Sequence, residues 1–443
     1  MVLKSNLLSI SAFVVVLLLT IILITCTSKE NNSSNKGVSI QKSNGKYSLY
    51  KNGELFEVKG AGGISNFKQL SDCGGNTLRV WDATNLQAIL DSAQRYGISV
   101  IVGLPFVNSD IKTFYADKKS IDEQYEAFEE TVLKYKDHPA LLMWCLGNEL
   151  DFPHKPSYHQ FYSAFNKITD MIHEKDPGHP VTTALLNFNE KYIFNLQFKC
   201  DVDIISFNIY GRLPLLRKNL EDFAWFWDGP FMVLEWGING PWPGKSQTAW
   251  GALIEDTSTK KAELYRLRYE NDMPFDNPRF LGSTVFFWGS KQETTHTWFS
   301  MLDKNGAPTE AVATMAKIWK SSKSYGAYPN LKYMLLNNKG ARDNIFIDPN
   351  TKMDAQLLLN EKADSIQTIE WQIFREDWYV KNNIRLVAKT TPLTNITTSS
   401  DTALIIDFKS PPEEGPYRLF ATVYNKNGTV ATCNTPFYVV DTQ

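Results

Sequence analysis

Along most of the chain, short apolar runs alternate with stretches of helical period. The runs fall at 57–61, 77–81, 99–104, 141–146, 181–185, 204–208, 232–235 and 283–288, and each reads as a buried strand. The clearest helix spans 157–176, with Ser157 as N-cap and Asp176-Pro177 as the stop. Phe161, Ala164, Phe165, Ile168, Met171 and Ile172 recur there at three- and four-residue spacing. A second helix at 121–135 puts Tyr125, Phe128, Val132 and Tyr135 on one face. Eight strand–helix repeats predict a closed parallel (β/α)8 TIM barrel. An open doubly wound sheet would carry a glycine-rich phosphate turn after its first strand, and Gly60-Ala61-Gly62-Gly63 lacks that fingerprint. Ahead of the barrel, Asn52-Gly53 between two extended runs predicts a hairpin.

Near 321–329 the period changes from helical to alternating. Ile369, Trp371 and Ile373 interleave with Glu370 and Gln372, the pattern of a half-buried strand, and Asn427-Gly428 marks a late hairpin. This predicts an α/β barrel followed by a C-terminal immunoglobulin-like β-sandwich with Trp371 in its core. The expected division is 1–25 targeting signal, 26–38 polar tether, 39–325 barrel and 326–443 sandwich. The sandwich reads as a structural appendage of the barrel rather than a separate binding module.

The first segment does not belong to the fold. Lys4 precedes an apolar run that ends at Leu23-Ile24-Thr25-Cys26. This resembles a bacterial lipoprotein signal, with Cys26 as the lipidated residue anchoring the chain to the outer membrane or cell surface. The alternative is an uncleaved membrane anchor. Either places the body of the protein outside the cytoplasm.

Composition narrows the function. Basic and acidic residues number 46 and 48, so the charge balance gives no reason to expect nucleic acid as a partner. Aromatic residues make up 13 %, including 12 Trp and 19 Tyr, which suits a large core and also stacking on sugar rings. The remaining cysteines, Cys73, Cys145, Cys200 and Cys433, match no zinc spacing and are expected as free thiols, with one disulfide as the alternative. There is no His-Glu-x-x-His motif; no metal and no cofactor is expected, and the chain is expected to be a monomer.

The candidate chemistry sits on two glutamates. Glu149 closes Met143-Trp144-Cys145-Leu146-Gly147-Asn148-Glu149, and Glu235 closes Phe231-Met232-Val233-Leu234-Glu235. Each follows an apolar strand, where a barrel displays its catalytic groups, and two carboxylates are the minimum for glycosidic cleavage.

Asn76-Thr77-Leu78-Arg79-Val80-Trp81 on the second strand, Gly147-Asn148-Glu149 on the fourth, Tyr210 after the sixth and Glu235 on the seventh together resemble the clan A glycoside hydrolases. Trp288, ending the eighth, is similar to their aromatic floor. The barrel looks like that of family 2 without its N-terminal β-domains. The two-domain layout and Gly415-Pro416-Tyr417-Arg418-Leu419-Phe420 are similar to the endo-β-1,3-glucanases of family 158. The resemblance implies a retaining β-glycoside hydrolase acting on a polysaccharide or oligosaccharide such as a β-glucan. Glu235 would be the nucleophile and Glu149 the acid/base. Arg79 and Tyr210 would support Glu235, Asn148 would meet the sugar 2-hydroxyl, and Trp288, Trp236 and Asp82 would contact sugar. Trp242, Trp225, Trp227, Trp298 and His296 are further loop residues from which cleft walls would be drawn. Transglycosylation on the same residues and non-catalytic glycan binding are the alternatives.

Overall fold

The computed structural model describes residues 37–242, 244, 246–360, 365–376, 391–399 and 404–441. Strands β1 (Val38–Ser43), β2 (Lys46–Lys51) and β3 (Glu54–Leu55) form an antiparallel sheet. Asn44-Gly45 and Asn52-Gly53 join them, all four with φ between 49° and 83°, the left-handed pair that tight hairpins need. Tyr47 N donates to Pro278 O at 2.7 Å and Lys51 Nζ to Pro139 O at 2.9 Å, so this sheet closes the barrel's N-terminal end.

Eight parallel strands make the closed barrel: β4 (Val58–Gly63), β5 (Thr77–Val80), β6 (Ser99–Leu104), β7 (Leu141–Asn148), β8 (Val181–Leu186), β9 (Ile204–Asn208), β10 (Phe231–Trp236) and β11 (Phe280–Trp288). Inward residues such as Ile101, Met143, Cys145, Ala184, Met232 and Leu234 fill the interior. Outward ones such as Leu78, Val102, Trp144 and Val233 pack under the helices. The helix foreseen at 157–176 is a 3-10 turn, Pro156–Tyr158, followed by His159–Lys175. Ser157 lies inside that turn and caps nothing. The helix foreseen at 121–135 starts earlier, at Lys118, with the Asp117 side chain accepting from Lys119 N and Ser120 N.

Strict alternation fails at the mouth of the barrel on three strands. Register shifts fall between Cys145 and Asn148 on β7, between Val233 and Trp236 on β10, and between Phe286 and Trp288 on β11. Each turns the following side chain to the opposite face, as bulges beside functional sites do.

The C-terminal domain is a β-sandwich. One sheet runs β12 (Leu331–Leu336), β14 (Lys352–Leu359), β17 (Ile405–Lys409). The other runs β13 (Phe346–Ile347), β19 (Val430–Val439), β18 (Gly415–Asn425), β15 (Ile366–Arg375), β16 (Thr394–Ser399). Trp371 is buried on β15, and Tyr417 near the start of β18 donates its hydroxyl back to Glu413 O at 2.9 Å. Both are features of immunoglobulin-like domains.

The sandwich packs on the loops that follow β10 and β11. Glu255 is the knot of that seam, accepting from Thr295 at 2.6 Å, Thr297 at 2.8 Å and Asn434 of β19 at 2.7 Å, with Lys261 beside it. Burial pushes this carboxyl up, but Lys261, the Thr295 hydroxyl and the charge of Arg418 outweigh it and hold it at about 2. Arg418 of β18 donates to Glu376, Asn434 and Leu253 O at 2.6 Å each.

Candidate active site

The fourth and seventh barrel strands carry the two glutamates to the mouth. On β10 the register shift follows Leu234, which faces the interior. Glu235 therefore also turns inward, and Trp236 turns out against Tyr265 and Tyr269. On β7 the chain leaves the strand through Gly147 at φ 76° and Glu149 at φ 54°. A Cβ on Gly147 would lie 2.2 Å from Leu150 Cδ1, so the Gly-Asn-Glu order has a local steric basis.

Glu235 is 6 % exposed and accepts three hydrogen bonds. Arg79 Nη1 and Trp81 Nε1 donate to Oε1 at 2.9 and 2.8 Å, and Tyr210 Oη donates to Oε2 at 2.8 Å. Burial first, then the nearby charge of Glu235, pushes the Tyr210 phenol well above its ordinary range, so it stays a donor. Trp81 reaches across the mouth because β4 and β6 offer glycines. A Cβ at Gly62 would meet Trp81 Cη2 at 2.9 Å, and one at Gly103 its carbonyl at 2.4 Å.

Arg79 and Asn208 tie the two glutamates into one unit. Arg79 also donates to Asn208 Oδ1 and Leu234 O at 3.0 Å each and to Asn148 Oδ1 at 2.6 Å. Asn208 Nδ2 donates to Glu149 Oε1 and to Asn148 Oδ1, both at 3.0 Å. With its carbonyl so occupied, the exposed Asn148 presents its amide hydrogens to the cleft. Glu149 has its pKa raised above 4.5. Burial is the main cause, with the charges of Glu235 and Glu293 adding, against the lowering effect of Asn208 and Arg79.

Of the residues foreseen, the structure brings together Glu149, Glu235, Arg79, Asn148 and Tyr210. Trp236 and Trp288 lie outside the cleft. Trp288 is fully buried, donating to Asn66 O at 3.3 Å and packing on Trp319. Phe286 takes the inward place just ahead of the register shift on β11, packing on Trp81, Tyr210 and Phe299, and the shift turns Trp288 away. Asp82 is exposed and caps its own turn, accepting from Thr84 N at 2.7 Å. Trp242 packs edge-on to Tyr210 at 5.0 Å, whereas Trp227 and Trp298 are buried and Trp225 is exposed between the helix Leu213–Asp222 and β10, at the barrel's other end. Cys26 lies outside the described residues.

Trp81, Asn208 and Phe286 were not singled out from sequence as site residues. Trp81 and Asn208 each end an apolar run, the same signal that pointed to the glutamates. Among the described residues no group of three or more His, Cys, Asp or Glu is gathered as a metal would require.

Residues 64–252 match the family model described as glycosyl hydrolases family 2, TIM barrel domain. The β-glucuronidase of Chlorocebus aethiops is 27 % identical over 192 residues, covering 39 % of this chain and 27 % of that protein. The β-glucuronidase of Felis catus is 29 % identical over 194 residues, covering 40 % and 27 %. The chain thus spans about a quarter of the length of the curated relatives it matches. In fold it is similar to a calcium-binding mutant of Bacteroides uniformis β-glucuronidase 2, with TM-score 0.51, 15 % identity, and coverage of 91 % of this chain and 48 % of that one.

Proposed function

We propose that the chain is a retaining β-glycoside hydrolase cleaving a β-linked glycan by double displacement, with Glu235 as nucleophile and Glu149 as acid/base. The observation that carries this reading is the shared bracket: Arg79, Trp81 and Tyr210 immobilise Glu235, while Asn208 ties Glu149 to the same Arg79. Glu149, raised by burial and by its neighbour's charge, protonates the leaving oxygen as Glu235 attacks C1. Esterification then removes the negative charge of Glu235, Glu149 gives up a proton more readily, and it activates the water that frees the sugar. Asn148 offers its amide to the 2-hydroxyl.

A neutral β-glucan, including a β-1,3-glucan cleaved internally, is the proposed substrate. The cations beside the pair, Arg79 and Lys291, already face Glu235 and Glu293, which favours an uncharged sugar over a uronate. The relatives' names make a β-glucuronide the second reading. A panel of β-1,3-, mixed-linkage and β-1,4-glucans beside an aryl β-glucuronide decides between them. Glu149→Gln and Glu235→Gln are each expected to lower kcat on the best substrate by at least about a thousandfold with the thermal midpoint unchanged. The first-formed product, followed by proton NMR, is expected to be the β-anomer; α-anomer appearing first would rule out retention.

The lipoprotein-like segment ending at Cys26 supports attachment at the outer membrane or cell surface. Radiolabelled palmitate is expected to enter the wild-type chain and not Cys26→Ala; equal labelling of both would remove the anchor from this proposal.

A further inference from the structure

A cavity of about 450 Å³ lies between the loop after β11 and the outward face of the sandwich. Its position relative to the catalytic cleft follows from that loop. Lys291 lies over the rings of Phe286 and Phe287, and Phe286 in turn touches Trp81 and Tyr210 of the Glu235 cluster. The charge of Glu293 is felt by Glu149. The residues between and before them, Ser290 and Gln292, line the cavity instead. One extended segment therefore has the catalytic cleft on one side and the cavity on the other.

The far wall is the polar face of β15, β16 and β18. Glu370 and Gln372 alternate with the buried Ile369, Trp371 and Ile373, and Asn395 stands directly across from Gln372. Glu370, Gln372 and Asn395 all line the cavity, and no side chain among the three hydrogen-bonds another described residue. Their donors and acceptors are thus left for solvent or a ligand in the cavity. Phe374 and Pro392 add apolar surface. Carboxylate, amide and hydroxyl groups beside apolar wall suit a neutral polyol. The carboxylates of Glu370 and Asp303, against the single cation Lys304, disfavour an anion. The seam holding both walls is fixed by the bonds from Thr295, Thr297 and Asn434 to Glu255, so the space is preformed.

We propose that this cavity is a second saccharide site, which holds a more distant stretch of the same neutral glycan whose cleavage is assigned to Glu149 and Glu235. It rests on that functional reading, and it makes the sandwich part of substrate recognition.

The test uses the full chain carrying Glu235→Gln, titrated calorimetrically with soluble six-residue β-1,3-, mixed-linkage and β-1,4-gluco-oligosaccharides. Adding Gln372→Ala and Asn395→Ala, or filling the space with Gln372→Trp, is expected to weaken binding of the best of these about tenfold, the loss of two modest hydrogen bonds. With Glu235 restored, the same variants should raise KM on the polymer and leave kcat/KM on an aryl β-glycoside and the thermal midpoint unchanged. An unchanged Kd in both cavity variants, or no binding of any of the three oligosaccharides, overturns the inference. Intact aryl-glycoside turnover alongside that outcome leaves the catalytic reading standing. Cavity-dependent binding by a chain that turns over nothing overturns the catalytic reading instead.

Discussion

Removing the Asn208 side chain should shift the titration of Glu149, the proposed acid/base, without touching it. Asn208 Nδ2 donates to Glu149 Oε1 at 3.0 Å, and this bond favours the charged carboxylate and so lowers the pKa that burial has raised. Asn208→Ala deletes the donor while the burial remains. A hydrogen bond to a charged group contributes about 1.5–3 kcal/mol, and one pKa unit corresponds to about 1.4 kcal/mol, so the Glu149 pKa should rise by about one to two units. Arg79 keeps Glu235 Oε1 and Leu234 O as acceptors, so the setting of Glu235 is largely preserved. The assay is kcat/KM against pH on an unactivated β-glucan, whose leaving oxygen needs the proton; this profile reports the free enzyme. Its basic limb, where Glu149 loses its proton, should shift upward by that amount. General destabilisation would reduce the plateau but leave the limb where it was. A limb that stays in place, or moves toward acid, refutes the assignment of Glu149 as the acid.

Two further expectations concern the seam between the domains. Arg418→Met leaves Glu376, already pushed up to about 7 by burial even with Arg418 beside it, as a buried carboxyl that must take a proton to stay folded. Without Arg418 that pKa rises further, and since the wild type already holds the proton below about pH 7, the variant's extra proton-linked deficit in urea unfolding should emerge and grow as pH rises above about 7. The pair Arg418→Met/Glu376→Met should recover most of it, and a deficit independent of pH would contradict the account. His296, set between the rings of Phe374 and Phe420, is held by burial at about 4, with Lys304 and Lys261 adding and Glu255 opposing. The unfolded chain takes up a proton first as pH falls, so stability is full above about 6.5 and declines by about 3 kcal/mol toward pH 4. His296→Phe should flatten that slope; an equally steep decline in this variant would place its origin elsewhere.

Periodicity revealed the barrel because eight buried strands leave a long repeated signal, and the alternation of Ile369, Trp371 and Ile373 did the same for the sandwich. The glutamates were legible because a carboxylate ending an apolar run has few other uses. Trp288 and Trp236 were misplaced for one physical reason. Each follows a local slip in strand register, and a slip leaves no trace in spacing while reversing which face a side chain takes. Had β10 kept strict alternation after Leu234, Glu235 itself would have pointed at the helices. Asn208 escaped notice because its importance lies in joining residues from β5, β7 and β9, which only the closed barrel makes neighbours.

The partners of Glu255 and Arg418 have a bearing on how the gene can be cut. Asn434 completes the ring of donors around a carboxylate that belongs to the barrel, and the guanidinium reaches over to the Leu253 carbonyl. A version trimmed after the last barrel helix would expose an acidic core group with part of its cage missing. Swapping in a foreign appendage would have the same defect unless it carried matching amides and a matching arginine. The two halves should therefore be expressed and engineered as one piece.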